Sequence, residues 1–258
     1  MLKEFEWTTI NNILLELYTI DEIKTFTKKI MNVFHMLVTY SKGYLILLDE
    51  DQRIIGENTY FYGCDSNFEK KYLETYYEKD YVKYLYEFSK ETIVFQDSSM
   101  IEDNVRENTD FYQNFLLPAD IPYGVGILIV KDEKIIGIFN LFRSSQQGDF
   151  TERDIYILNV LKKHMENIVY RILKSSRQTV AIDRCFDNAK SRFMFSDREV
   201  EILKLIADGK SNNEICNQIN VSISTVKKHI YNIFNKSGVN SRTQLLNLIY
   251  SIDSLEKA

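Results

Sequence analysis

At 258 residues, with 45% hydrophobic and 27% charged residues and a net charge of −5, the chain has the composition of an ordinary globular protein with room for roughly two domains. Wholesale disorder is excluded, and so is a helical membrane span, because the longest apolar runs, such as residues 44–48, are far too short. The opening MLKEFEWTTINN has no apolar signal stretch, so a soluble, cytoplasmic protein is expected.

Cys64, Cys185 and Cys216 are scattered, as are His35, His164 and His229. That pattern suits a reducing compartment and offers no metal-ligand spacing. No glycine-rich phosphate loop occurs either, so neither a metal nor a cofactor is expected.

In chain order, apolar residues recur at helical spacing from Thr8 to Thr39, with Asp21 as a break and cap between two helices. Gly43 to Leu48 reads as a buried strand, Asp49 to Gln52 as a turn, and Arg53 to Tyr62 as the hairpin partner. Ser66 to Ser89 is helical and rich in tyrosine. Thr92 to Gln96 is a short strand, followed by a polar loop with one helical turn and a short helix closed by Pro118. The strands Tyr123 to Lys131 and Lys134 to Arg143 form a tight hairpin around Asp132-Glu133.

A long helix starts at Thr151, where Thr151 and Asp154 make an acidic capping box and Phe150 can staple onto Ile155. Along it Leu158, Leu161, Met165, Ile168 and Ile172 recur at spacings of three and four, which reads as a coiled-coil seam and a dimer interface. Ile155, Val169 and Leu173 lie beside the seam and serve the sheet. Residues 175–192 are polar and of mixed charge, and read as a linker with some helical continuation. This order is α+β. Its ending, GVGILIVKDEKIIGIFNLFRSSQQGDFTERDIYILNVL, resembles a GAF domain, a resemblance that covers about Thr8 to Leu173. A PAS domain is the nearest competitor; the terminal hairpin followed by a capped long helix favours GAF.

From Phe195 the pattern becomes four short helices. Ser196 with Glu199, Ser211 with Glu214 and Ser241 with Gln244 each have capping-box spacing, and Gly209 and Gly238 stand where helices must stop. Asn220-Val221-Ser222 is as short a joint as a helix-turn-helix needs. On the third helix Val226, Ile230 and Ile233 share one face, while Ser224, Lys227, Lys228 and Tyr231 occupy the other, as a recognition helix requires. From Ile215 to Ile252 there is no Asp or Glu, whereas Lys227, Lys228, Lys236 and Arg242 are basic. Removing the eight basic and seven acidic residues from Ser196 onward leaves 24 and 30, so the preceding part is net −6 and unsuited to nucleic acid.

The stretches REVEILKLIADGKSNNEI and STVKKHIYNIFNKSGVNSRTQ resemble the LuxR/NarL-type DNA-binding domain over the last quarter of the chain. The resemblance implies that Lys227, Lys228 and Tyr231 face bases, that Thr225 and Arg242 lie near phosphates, and that the fourth helix pairs two copies; Lys236 is expected to join Thr225 and Arg242 in setting register on phosphates. Leu245, Leu248, Ile249 and Ile252 form that helix's stripe. The sequence departs from the family at Cys216, where alanine is usual, and at Ser237, where leucine is usual; neither is on the DNA face. The acidic pair and lysine of a phosphorylated receiver domain are not visible upstream.

Tyr62, Tyr72, Tyr76 and Asp80 are the candidate ligand-binding residues in the tyrosine-rich stretch, where the rings either roof a pocket or fill a core. Tyr72, Tyr76 and Asp80 loosely echo acyl-homoserine-lactone sensors, but Tyr81 replaces the family's proline and Trp7 is the sole tryptophan. Cys64 is either a reactive thiol or a structural one. The expected molecule has a GAF-like antiparallel sheet domain at residues 1–174, a linker at 175–192 and an all-α LuxR-type domain at 193–258. It binds double-stranded DNA as a homodimer, has no catalytic residues, and is controlled by a small-molecule effector. The alternative is that the first domain serves only dimerisation or protein interaction.

Overall fold

The computed structural model describes residues 2–86 and 88–255, with their side chains except at 177–181 and 252–255. The chain divides into two compact units, the first ending at Ser175 and the second beginning at Ser176.

The first unit begins with α1 (Glu4–Tyr18) and α2 (Ile23–Phe34). Glu22, not Asp21, caps α2 by accepting from the Thr25 N–H. Five antiparallel strands follow: β1 (Lys42–Leu47), β2 (Tyr60–Tyr62), β3 (Ile93–Gln96), β4 (Tyr123–Lys131) and β5 (Lys134–Arg143), in the spatial order β2-β1-β5-β4-β3. β4 and β5 take the predicted bounds because two mostly apolar segments of nine and ten residues flank a two-residue turn whose members, Asp132 and Glu133, both have positive φ. The expected long partner of β1 shrinks to Tyr60–Tyr62, since the chain leaves the ladder in a 3₁₀ turn at Gly56–Asn58 after a single bridge between Leu48 and Ile54.

Strand alternation separates two cores. Leu45, Leu47, Val125, Ile127, Ile129, Phe139 and Leu141 face α1, α2 and the long α6 (Glu152–Phe193). Tyr44, Ile46, Leu48, Leu128, Ile138 and Phe142 face the opposite layer. That layer is built from short irregular pieces: α3 (Ser66–Lys71), a π-helical turn at Tyr72–Tyr76, 3₁₀ turns at Tyr77–Lys79 and Tyr81–Leu85, α4 (Asp97–Met100), α5 (Asp103–Arg106) and a second π-helical turn at Tyr112–Leu116. The tyrosine-rich stretch expected as one helix is therefore broken, with Asp80 in extended backbone capping the turn that follows it.

One prediction is overturned here. Leu158, Leu161, Met165, Ile168 and Ile172 are all 2% exposed or less and belong to the first unit's own core. The spacing read as a dimer seam is the stripe by which α6 covers its sheet, which Val169 and Leu173 share. Apolar residues at spacings of three and four describe any buried helix face, and the sheet is the partner that claims this one.

In the second unit the segment expected as a linker is helical to Phe193, and Cys185, Phe186 and Ala189 are buried with the helices that follow. Those are α7 (Asp197–Ala207), α8 (Asn212–Ile219), α9 (Ile223–Ser237) and α10 (Arg242–Leu255). Their core comprises Ile202, Leu203, Ile206, Ile215, Val226, Ile230, Ile233, Leu245 and Ile249 among others.

Candidate functional sites

The second unit presents a helix-turn-helix whose joints are built as the sequence prescribes. Ser196 with Glu199 and Ser211 with Glu214 form reciprocal capping boxes at the starts of α7 and α8. Ser241 accepts from the Gln244 N–H at 3.2 Å, although the Gln244 amide returns to the Asn240 N–H and not to Ser241. Asn220, at φ +52°, ends α8 in the left-handed conformation, and Ser222 caps α9 by accepting from the Thr225 N–H. Gly238, at φ +70°, ends α9.

Between those stops α9 is two-faced. Val226 and Ile233 are fully buried and Ile230 nearly so, while Ser224, Lys227, Lys228 and Tyr231 are exposed, Tyr231 at 65%. Thr225 is half-buried, with its hydroxyl 2.8 Å from the Ser222 hydroxyl. Lys227 and Lys228 have no acidic partner among the described residues, so their charge faces solvent. His229 is half-buried at the edge between the faces. Cys216 is half-buried against this core, and the Ser237 hydroxyl donates to the Ile233 carbonyl at 2.6 Å, so a serine is accommodated where leucine was expected.

Two of the basic residues assigned to phosphates are engaged inside the unit. Lys236 Nζ lies 2.7 Å from Glu199 Oε2 and also donates to the Met194 carbonyl at 3.0 Å. Burial by itself would push the Glu199 carboxyl up; the Lys236 hydrogen bond and those from Ser196 outweigh it and hold the group below the usual glutamate value. Lys236 is thus the counter-ion of a capping carboxylate. Arg242, half-buried, donates to the Lys210 carbonyl and to Asn212 Oδ1, both at 2.5 Å, and so ties the start of α10 to the joint between α7 and α8. The expected dimer stripe on α10 also divides. Leu245 and Ile249 are core residues, Leu248 is half-buried, and the Ile252 side chain lies outside the described residues.

In the first unit, Tyr72 and Asp80 meet and Tyr62 does not join them. Tyr72 and Asp80 are 0% and 3% exposed, and Tyr72 Oη donates to Asp80 Oδ2 at 2.6 Å. Tyr76, also buried, stacks on Phe115 in the same layer. Tyr62 belongs to the other side of the sheet, against His35 and Tyr40, because adjacent residues of a strand point to opposite faces.

The sequence reading missed three residues that complete this cluster. Tyr44 Oη donates to Asp80 Oδ2 at 3.0 Å and accepts from Asn140 Nδ2 at 3.2 Å, and the Asp80 backbone neighbour Val82 donates to Asp80 Oδ1 at 3.0 Å. Burial pushes the Asp80 carboxyl up despite these donors, and it pushes both tyrosines well up as well, so Tyr44 and Tyr72 remain hydrogen donors. Asp97, 2% exposed, is raised to about 8 by burial and by the nearby Asp80. An amide inside the apolar strand IIGIFNLF was the one local signal that could have drawn attention to Asn140.

Cys64 is half-buried, donates weakly to the Tyr62 carbonyl at 3.3 Å, and has its thiol pushed up to about 12 by burial. The thiolate a catalyst needs is disfavoured there. Among the described residues no three His, Cys, Asp or Glu side chains stand together as metal ligands, and no helix is long and apolar enough to cross a membrane.

Comparison with known proteins assigns the second unit. Residues 194–249 match the family described as bacterial regulatory proteins, luxR family. The chain is 24% identical over 196 residues to a monoamine regulon transcriptional regulator of Klebsiella aerogenes, covering 76% of this chain and 78% of that protein. It is 48% identical over 58 residues to the transcriptional regulatory protein LiaR of Bacillus subtilis (strain 168), covering 22% of this chain and 28% of that protein. Among solved structures, the VqsR LBD domain from Pseudomonas aeruginosa shares the fold of the first unit, with a TM-score of 0.51, 11% identity, and coverage of 67% of this chain and 98% of that one.

Proposed function

We propose, from the premise that this chain is a DNA-binding transcriptional regulator with a LuxR-family helix-turn-helix at its C-terminal end, that Lys227, Lys228 and Tyr231 read bases and that the first unit controls them by binding a small molecule. The observation that carries the first half is the division of α9: one face is buried, and the other offers two unpaired lysines and an exposed tyrosine. Such a face enters a major groove with its N-terminal residues toward base edges. Ser224, Thr225 and the free N–H groups at the start of α9 suit phosphates.

A single short recognition helix reads too few base pairs for genomic specificity, so the active form is a homodimer acting in the cytoplasm. Its contact is assigned to the outer side of α10 around Leu248, the member of the expected stripe that, among the described residues, is not consumed by the core. Control by an effector is supported by the buried polar cluster of Tyr44, Tyr72, Asp80, Asn140 and Asp97 inside an otherwise aromatic layer broken by two π-helical turns, a feature frequent at functional sites.

Selection of the full-length protein against a pool of random duplexes tests the first half. A two-fold-related motif is expected, and a folded protein that enriches nothing, with or without effector, contradicts it. A thermal-shift screen of the full chain against a metabolite library tests the second half. A shift identifies the effector class; no shift with any compound returns the first unit to dimerisation or protein interaction alone.

A further inference from the structure

The start of α9 is built from Ser222, Ile223, Ser224 and Thr225, and three of these are tied together by their hydroxyls: Ser222 Oγ lies 2.7 Å from Ser224 Oγ and 2.8 Å from Thr225 Oγ1. The apolar positions that staple a helix start are the residue before the cap and the fourth helical residue. Here they are Val221 and Val226, and both pack on the unit's core. Ile223, the first helical residue, has neither task and is 44% exposed. It does not serve the helix end electrostatically either. α7 and α8 carry acids in their first turns, where the positive end of the helix dipole favours them, and α9 carries none. A β-branched apolar side chain facing water at this position is a choice that the folding of the unit does not require, and such departures mark functional surfaces.

At about 100° per residue, Ile223, Lys227 and Tyr231 form one stripe along α9, and Ser224 with Lys228 forms the next. Among the described residues, the large apolar side chains exposed on α7 to α10 are those of Ile223, Tyr231 and Tyr250. Two of the three therefore stand on this stripe, with a lysine between them. Helical side chains lean toward the start of their helix, so Ile223 covers the leading end of the stripe. That end of a recognition helix is the one that meets base edges.

In the major groove guanine presents acceptors, cytosine a donor and adenine one of each, whereas thymine alone presents a methyl group. An isoleucine laid on a donor or acceptor strips its water and returns no hydrogen bond, which costs affinity. Laid on the methyl, it removes apolar surface from water on both sides. We propose that Ile223 reads a thymine through its methyl group. This rests on the reading of α9 as the helix that enters the groove, and adds to Lys227, Lys228 and Tyr231 a residue that selects by apolar contact. One helical turn rises about 5.4 Å against about 3.4 Å per base pair, so the thymine lies about one to two base pairs from the pair contacted by Lys227, on the side of the α9 N-terminus.

The test uses the full-length protein. Selection from random duplexes gives the operator, and selection with Lys227→Ala marks the base pair that this lysine contacts by the preference lost there. Uracil is then placed at the expected thymine, which removes the methyl and leaves every hydrogen-bonding group of the base. Wild-type binding should weaken by about four-fold for one half-site and about fifteen-fold for both. Ile223→Ser should bind the thymine operator more weakly and no longer distinguish it from the uracil one. Ile223→Val, which keeps the branch at Cβ, should still distinguish them, and amide exchange in α9 should be unchanged in both variants. A motif with no thymine within two base pairs of the Lys227 position, a wild type indifferent to uracil, or a uracil effect that survives in Ile223→Ser overturns the proposal and leaves α9 as the reading helix. A loss in Ile223→Ser that is equal for all duplexes overturns it as well, and assigns the residue to the DNA backbone. A folded wild type that enriches no motif removes the reading of α9 and the proposal with it.

Discussion

Replacing Lys236 by methionine separates its two assigned roles. In the structure its ammonium is 2.7 Å from Glu199, a carboxylate 3% exposed that also closes the capping box of α7. A hydrogen bond to a charged group contributes about 1.5 to 3 kcal/mol, and breaking a fully buried pair costs about 3 to 5. The Lys236 side chain is 38% exposed, so water replaces part of what is lost and the lower range applies, about 2 kcal/mol.

That loss corresponds to roughly a thirty-fold rise in local opening, read in the full chain as faster amide hydrogen exchange in α7 and at the end of α9. The Glu199 pKa is lowered in the fold, so the pair's contribution is complete above the ordinary glutamate value near 4.3 and is lost as pH falls through the lowered one. Wild type and variant should therefore converge in acid. If Lys236 instead held a phosphate in each subunit of a dimer, the variant would lose about 1.8 from the slope of log affinity against log salt. Unchanged exchange together with that reduced slope would refute the bracing role.

Arg242→Ala should raise exchange at the joint between α7 and α8 through loss of the Lys210 and Asn212 bonds, by about 1.5 to 3 kcal/mol, and should weaken binding to all duplexes alike. Leu161→Glu places a carboxylate in the first unit's core and should cost about 3 kcal/mol or more, seen as a lowered urea midpoint in the fluorescence of Trp7, the sole tryptophan; a folded monomer would restore the seam reading. Leu248→Glu should leave both units folded and yield monomers in sedimentation, and an unchanged dimer would move the interface elsewhere. Because the folded-state pKa of Asp97 is raised to about 8, the first unit without effector should lose stability as pH rises from about 4 to 8, and Asp97→Asn should flatten that dependence in urea titrations.

The second unit was legible in sequence because its information is local. Serine caps, the stop at Gly238 and an apolar face repeating within one helix are written in adjacent residues, and α7, α8, α9 and α10 follow them. The β4–β5 hairpin was legible for the same reason. What could not be read was which apolar face meets which partner. The stripe from Leu158 to Ile172 looks identical whether it covers a sheet or a second copy, and only the sheet's position decides. The charge pairing was out of reach for the same reason: Lys236 and Glu199 are 37 residues apart, and their contact depends on how α7 packs on α9. The first unit's polar cluster joins Tyr44, Tyr72, Asp80, Asp97 and Asn140 through the strand register, so a search along the tyrosine-rich stretch found two of its members, Tyr72 and Asp80, and added Tyr62 from the wrong face.

The most direct test of the account is the ratio of affinities of the full-length protein for its selected duplex and for a scrambled one, compared with Lys227→Ala/Lys228→Ala at one salt concentration. Specific recognition through α9 predicts a wild-type ratio of roughly a thousand or more. Removing two base contacts, each about 1 to 3 kcal/mol, should lower that ratio by at least about thirty-fold while amide exchange shows the unit still folded. A double variant that keeps the wild-type ratio would contradict the assignment of α9 as the reading helix.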